Sequence, residues 1–404
     1  MAAMNTRCCV AIAAGTFALF IFAAEYGRAQ DALCMDGYAS LDSKFASGVT
    51  VHVGPPQSGG FAQKVCAASL RWEKQELPVV LGAAQVDVDL LGADVGLNTP
   101  VVAFKIRQAG GDATSSYRIY SLEKPPRLLR TITGAANFNA ADVGLDGRVA
   151  IWTDDAGAWD GIEGLGIGSF AALPMMALRF ENGKLVDAGA EFQPVFDEQI
   201  ARLRAALAPA DVKAFKESGG GAGSAVSTAV LQTKAAVLGL AWLYLYSGRE
   251  ADAWKTLEED WPARDLDRIR GEMRARVARG MRSQLDGVST RVPKPGEIKK
   301  TTVFDQVERA FVQNGMAFEN KAVDQLPRGI RLKRPDEGGE VTQQDKEWLV
   351  LTVDSAGKVR DAAMAAPASD DILVAAAKDW KFIPAFRGGK PVACRFKLYV
   401  APYR

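Results

Sequence analysis

Between residues 31 and 192, apolar and polar positions alternate in short runs, clearest at 101–106, 117–120 and 176–180. A period of two places every second side chain on one face, so these runs predict half-buried β-strands separated by Gly, Asn and Asp turns. Glu181-Asn182-Gly183 reads as a tight hairpin turn feeding a strand at 184–186. One weak internal repeat is visible. Gly92-Ala93-Asp94-Val95-Gly96-Leu97 is echoed by Ala140-Ala141-Asp142-Val143-Gly144-Leu145, and an apolar run follows each copy. An Asp/Gly loop leading into a buried strand is the reading expected of a propeller blade or a meander repeat. Asp142, Asp146 and Asp154 have calcium-ligand chemistry, but turn formation is the role their setting favours.

Beyond Phe192 the period lengthens. Phe196, Ile200, Leu203 and Leu207 recur at helical spacing, and the stripe ends at Pro209. A glycine-rich break covers 218–224, and a second helical block runs from 225 to 285. Its last helix carries Leu266, Ile269, Met273, Val277 and Met281 on one side. Prolines around Lys294 mark another boundary, and residues 303–318 are expected to form a further helix. From 349 onward the pattern reads strand, tight turn, strand, then a helix over 370–378 and a closing strand at Arg395, Phe396, Lys397, Leu398, Tyr399 and Val400. The predicted fold class is multidomain α+β. It comprises a β-rich domain (31–192), a helical middle module (193–290) and a C-terminal α+β domain (300–404).

Charge and targeting signals narrow the function classes. The 404-residue chain carries a formal net charge of +1, too little to offset a phosphate backbone, so a nucleic-acid partner is not expected. The arginines from 268 to 276 alternate with acids and apolar residues, as on a solvated helix face. Arg7, the apolar run 8–24 and the small residues Gly27 and Ala29 read as a secretory signal (1–29), with cleavage after Ala29. An uncleaved inner-membrane anchor is the alternative. No later segment is expected to span a membrane, and the predicted location is the periplasm. In an oxidising compartment, Cys34 and Cys66 are expected to form a disulfide, leaving Cys394 as a spare buried in a strand. The mature cysteines lack the short spacing of a metal knuckle, so no metal and no cofactor are expected.

The C-terminal pattern resembles the TonB C-terminal domain family. Val353-Asp354, Gly357 and Val359 match its hairpin, and Ala376, Trp380, Phe382 and Pro384 match its helix-to-strand motif. Gly389 to Val392 matches the segment before its last strand. The resemblance covers residues 347–403 and implies a helix packed on a small sheet, with Trp380 and Phe382 filling the gap between them. It also implies docking of an envelope protein by pairing along the strand at 395–400. The opening segment of the family pattern is absent, with Gln325-Leu326-Pro327 standing near its place. A proline-rich spacer and an anchor histidine are also missing. Residues 236–262 resemble a single tetratricopeptide hairpin, on the spacing of Tyr244, Gly248, Ala253 and Leu257.

Nothing in the sequence reads as a catalytic centre. His52 is the sole histidine and alternates with valines, as a strand side chain does. No phosphate loop, dinucleotide fingerprint or nucleophile elbow occurs. The expected function is therefore a non-catalytic envelope adaptor or binding protein. The alternatives are a divergent energy transducer and a secreted envelope hydrolase using Asp154, Asp155, Asp160 or Glu163.

Overall fold

The structure is a computed structural model. It describes residues 32–37, 40–56, 64–110, 114–170, 173–218, 228–289, 291, 301–305, 308–312, 315–318, 322–332, 347–365 and 371–400. The signal segment 1–29, the glycine-rich break beyond Ser218 and the proline boundary around Lys294 lie outside the described residues. The chain is a mixed α+β protein, as its alternating and helical periods predict.

The alternating region folds into three successive antiparallel meanders. After the short strand β1 (Cys34–Met35), the first is β2 (Leu41–Lys44), β3 (Thr50–Gly54), β4 (Cys66–Trp72) and β5 (Gln75–Ala83). The second is β6 (Gln85–Ala93), β7 (Val101–Arg107), β8 (Ser115–Ser121) and β9 (Leu128–Ala135), with β1 paired to the outer side of β6. The third is β10 (Phe138–Ala141), β11 (Ala150–Asp154), β12 (Met175–Glu181) and β13 (Lys184–Asp187); the short helix α1 (Ala156–Trp159) follows β11. The β12–β13 turn forms at Asn182 and Gly183, both at positive φ. The sequence repeat falls on one topological position, the link from first to second strand of the second and third meanders. In each link an aspartate organises the loop through its carboxylate. Asp94 accepts the N–H groups of Gly96, Leu97 and Asn98, and Asp142 accepts those of Asp146 and Gly147. Turn formation is thus what these acids do.

The helices pack on the third sheet as one continuous core with it. They are α2 (Gln193–Ala206), α3 (Pro209–Ser218), α4 (Thr228–Tyr246), α5 (Glu250–Asp260) and α6 (Leu266–Arg279). The α2 stripe buries Phe196 and Ile200, and α6 buries Ile269, Met273 and Val277. Helices α4 and α5 form a hairpin whose turn requires Gly248 at φ +76, with Ala190 packed against it. Contrary to the sequence expectation, one later segment is long and apolar enough to cross a membrane on length and composition: the 19-residue α4. Its apolar surface is used here in the core, where Leu238, Leu240, Ala241 and Trp242 are fully buried. The strand β14 (Gly287–Val288) then returns to the third sheet, parallel to β13.

The C-terminal unit begins with β15 (Val303–Asp305), β16 (Glu308–Val312), β17 (Gly315–Phe318) and β18 (Arg328–Arg331). The helix expected over 303–318 is not formed; the described residues of the segment are three strands. Asn314-Gly315 is a hairpin signal that the helical reading overlooked, and β16 and β17 pair across it. There follow β19 (Glu347–Val353), β20 (Val359–Met364), α7 (Asp371–Ala377), β21 (Lys381–Ile383), β22 (Ala385–Arg387) and β23 (Lys390–Val400). The main sheet runs β15-β23-β19-β20. Trp380 and Phe382 are buried between α7 and this sheet with Leu373, Leu351 and Phe396. On the same helix, Ile372 points out and is 65% exposed.

The C-terminal unit is joined to the rest by buried contacts. Ile383 belongs to the core of the first two sheets, where Ile330 and Phe386 also pack. The expected disulfide is present: Cys34 and Cys66 join β1, on the second sheet, to the start of the first sheet's β4. Cys394 is free and buried in β23, and burial pushes its thiol up to about 12, which keeps it protonated and unreactive.

Candidate functional site

The strand singled out as a docking edge is the far part of β23. It pairs with β19 along its length from Cys394 to Val400. On its other side, β15 covers residues 393–395 only. Arg395 is therefore paired on both sides, and its guanidinium lies 3.6 Å from Asp305. Among the described residues, no further strand pairs with that second side at 396–400. Alternation along β23 turns Phe396, Leu398 and Val400 toward the core and Arg395, Lys397 and Tyr399 outward. The Tyr399 ring lies 5.3 Å from that of Trp348 on β19, so the outward face carries an aromatic pair beyond Lys397 and Arg395.

The hairpin at the root of this sheet is clamped to the β body. Asp354 accepts the N–H groups of Ala356 and Lys358 within its own turn. Its other oxygen accepts the N–H of Asp142, in the repeat loop of the third meander, and the Ser355 hydroxyl donates to Asp142 in return. Burial raises the Asp354 carboxyl to about 6; neighbouring Asp142 adds to this, and Arg360 opposes it. Gly357 is required here. Its φ is +83, and a β-carbon would stand 2.0 Å from the carbonyl oxygen of Phe382.

Beside this turn lies a buried ionic cluster. Asp87 and Asp89 project from β6, Lys105 from β7, and Lys358 and Lys381 from the C-terminal unit. Lys381 is ion-paired to Asp87, Lys105 lies 3.3 Å from Asp87, and Lys358 lies 3.0 Å from Asp89. Asp89 also accepts the Tyr117 hydroxyl and the Ala140 N–H. Burial opposes ionisation of Asp87, yet Lys381 and Lys105 hold it well below the usual carboxylate range. Asp89 is likewise lowered against burial, by Lys358 and Lys105. Burial also works against the charge on Lys105, but Asp87 and Asp89 raise it overall. Lys381 goes the other way, down to about 7, because burial dominates and Lys105 and Lys358 repel its charge.

The acids considered for hydrolysis are scattered among structural tasks. Asp154 accepts the N–H groups of Ala136, Asn137 and Ala156. Asp155 accepts the Met281 N–H and the Tyr246 hydroxyl, which itself receives the Trp242 indole N–H. Burial raises both carboxyls. Glu163 is paired with Lys234 at 2.8 Å and with Arg268. The Asp160 carboxylate accepts a 3.4 Å bond from the Ile167 N–H, and its backbone carbonyl accepts one from Arg276 at 2.9 Å. A cleft of about 600 Å³ opens beside Asp155, between β9, α1 and the end of α6, with Thr133, Arg276 and Arg279 on its walls. His52 lies on β3 with Nδ1 2.9 Å from Asp42. Among the described residues no cluster of His, Cys, Asp and Glu has metal-site geometry.

The ionic cluster was missed by sequence reasoning. Its one signal is the run Val86-Asp87-Val88-Asp89-Leu90, which alternates as a half-exposed strand does, whereas both faces of β6 are buried. Compared with models of known families, with curated proteins and with solved structures, the chain matches none.

Proposed function

We propose that the chain is a non-catalytic binding protein of the cell envelope that docks a protein partner through the edge of β23. The observation that carries this reading is the edge itself. Among the described residues, only β19 pairs with 396–400, and Lys397 and Tyr399 face outward from this stretch. An extended segment of a partner can add there as a further strand, with backbone bonds supplying affinity and the Trp348–Tyr399 pair supplying a side-chain contact. The TonB-like motif residues support the reading, since Asp354, Gly357, Trp380, Phe382 and Pro384 occupy turn and core positions of a hairpin–helix–strand unit. The Cys34–Cys66 disulfide accords with export by residues 1–29 to an oxidising, periplasmic compartment. In this reading the C-terminal unit is displayed rigidly, because its hairpin is buried against the β body. The test is in-cell crosslinking of the tagged full chain, with the captured proteins identified. An envelope protein lost on Tyr399→Ala with Lys397→Glu supports docking at this edge; capture of only the chain itself refutes it.

A further inference from the structure

We propose that the seam between the C-terminal unit and the β body is a proton-operated clamp, in which the buried cluster of Asp87, Asp89, Lys105, Lys358 and Lys381 carries three lysines against two carboxylates and tightens the seam by releasing a proton from Lys381 as pH rises. The cluster straddles the seam. Asp87, Asp89 and Lys105 belong to β6 and β7 of the body, and Lys358 and Lys381 to the C-terminal turn and β21. Three lysines face two carboxylates, and the side chains of Asp87, Asp89 and Lys381 are each less than a tenth exposed. An uncompensated charge in such a setting is costly, so the cluster is relieved by becoming neutral.

Among the described residues, the remaining neighbours do not balance the surplus. Tyr117 on β8 donates a neutral hydroxyl, and Ala140 on β10 donates a backbone N–H. On β18, which pairs with β21, Arg328 donates to Ser43. The nearby acids Asp142 and Asp354 are engaged with each other's turn, with Arg360 acting on Asp354. The cavity adjoining Asp89, Lys358 and Lys381 is about 10 Å³, room for about one water and none for a counter-ion. Lys381 is the group that yields its proton: its side chain is the least exposed of the three, 7% against 13% for Lys105 and Lys358, and burial lowers it to about 7 while Lys105 is raised.

The sign follows from linkage. A lysine lowered in the docked state and ordinary, near 10.4, when released favours docking fully above the ordinary value. That contribution is lost as pH falls toward 7, and below 7 it no longer changes. Between pH 7 and 9 the undocking equilibrium should therefore fall with rising pH, by at most about tenfold per unit for one proton.

The test is hydrogen exchange of the full chain at pH 6 to 9, corrected for intrinsic rates and read on peptides covering 353–359 and 381–383. Wild type should gain protection from pH 7 to 9. Lys381→Met should lose that slope and be at least as protected at pH 7 as wild type at pH 9. Lys381→Arg, which keeps its charge, should show no gain. A flat wild-type profile, or a Lys381→Met profile with the wild-type slope, overturns the proposal. Should Lys381→Met fail to fold, titration of the Lys381 amine by nuclear magnetic resonance in wild type decides. Loss of the proton before pH 9 supports the clamp; an amine still fully charged at pH 9 overturns it.

Discussion

The backbone N–H of Asp142 donates to the carboxylate of Asp354, 3.0 Å away and 212 residues further along the chain. The bond ties a loop of the third meander to the turn of the C-terminal hairpin, and the Ser355 hydroxyl closes the exchange with a 2.8 Å bond to Asp142. Asp354→Ala strips the acceptor from three N–H groups at once: Asp142, Ala356 and Lys358. Leaving buried donors unpaired costs about 1–3 kcal/mol each, partly recovered by water. A loss of about 2–4 kcal/mol is expected in urea unfolding of the full chain.

The same carboxyl imposes a pH dependence of its own. Burial raises it from 3.8 to about 6, so the folded chain favours the protonated form. That contribution is fully present below pH 4 and is lost as pH rises through 6. Wild type should lose up to about 3 kcal/mol relative to Asp354→Asn across this window, as followed by urea midpoints. This window lies below that of Lys381, so the two effects separate on one pH series.

Reducing the Cys34–Cys66 disulfide releases a loop of sequence separation 32. Chain entropy for such a loop amounts to about 3–4 kcal/mol. The midpoint of thermal unfolding should fall with dithiothreitol in wild type, and Cys34→Ala with Cys66→Ala should be insensitive to it.

Tyr246 accepts from Trp242 and donates to Asp155, at 2.8 Å in both bonds. Tyr246→Phe leaves a buried indole N–H without a partner and a buried carboxyl with one donor fewer. A destabilisation of about 1–3 kcal/mol is expected, measured by chemical denaturation with tryptophan fluorescence as the probe.

What the sequence discloses follows from how local each cause is. The Asn182-Gly183 turn, the Asp94 and Asp142 loops and the α2 and α6 stripes are decided within a few residues, and they form as their patterns predict. Residues 303–318 were misread because apolar positions in a short segment fit a helix as well as strands, and Asn314-Gly315 was given no weight. The span-length α4 was overlooked as such, although its apolar residues on every side are what a fully buried core helix requires. The ionic cluster could not be read at all. Whether Asp87 faces water depends on Lys381, 294 positions away, and on the docking of a whole C-terminal unit. The stretch 396–400 is legible as a strand; that β15 pairs with 393–395 beside it is a tertiary fact.

The central claim, docking through the edge of β23, is tested most directly by placing a photo-crosslinking amino acid at Tyr399 in the full chain and irradiating intact cells. Deleting the unit is a poorer test, since it would strip the cover from Asp87 and Asp89. A control probe goes at Leu81, 71% exposed on the first sheet. The account predicts an adduct with an envelope protein from position 399 and none from 81. Equal adducts from both positions, or none from 399, would contradict it.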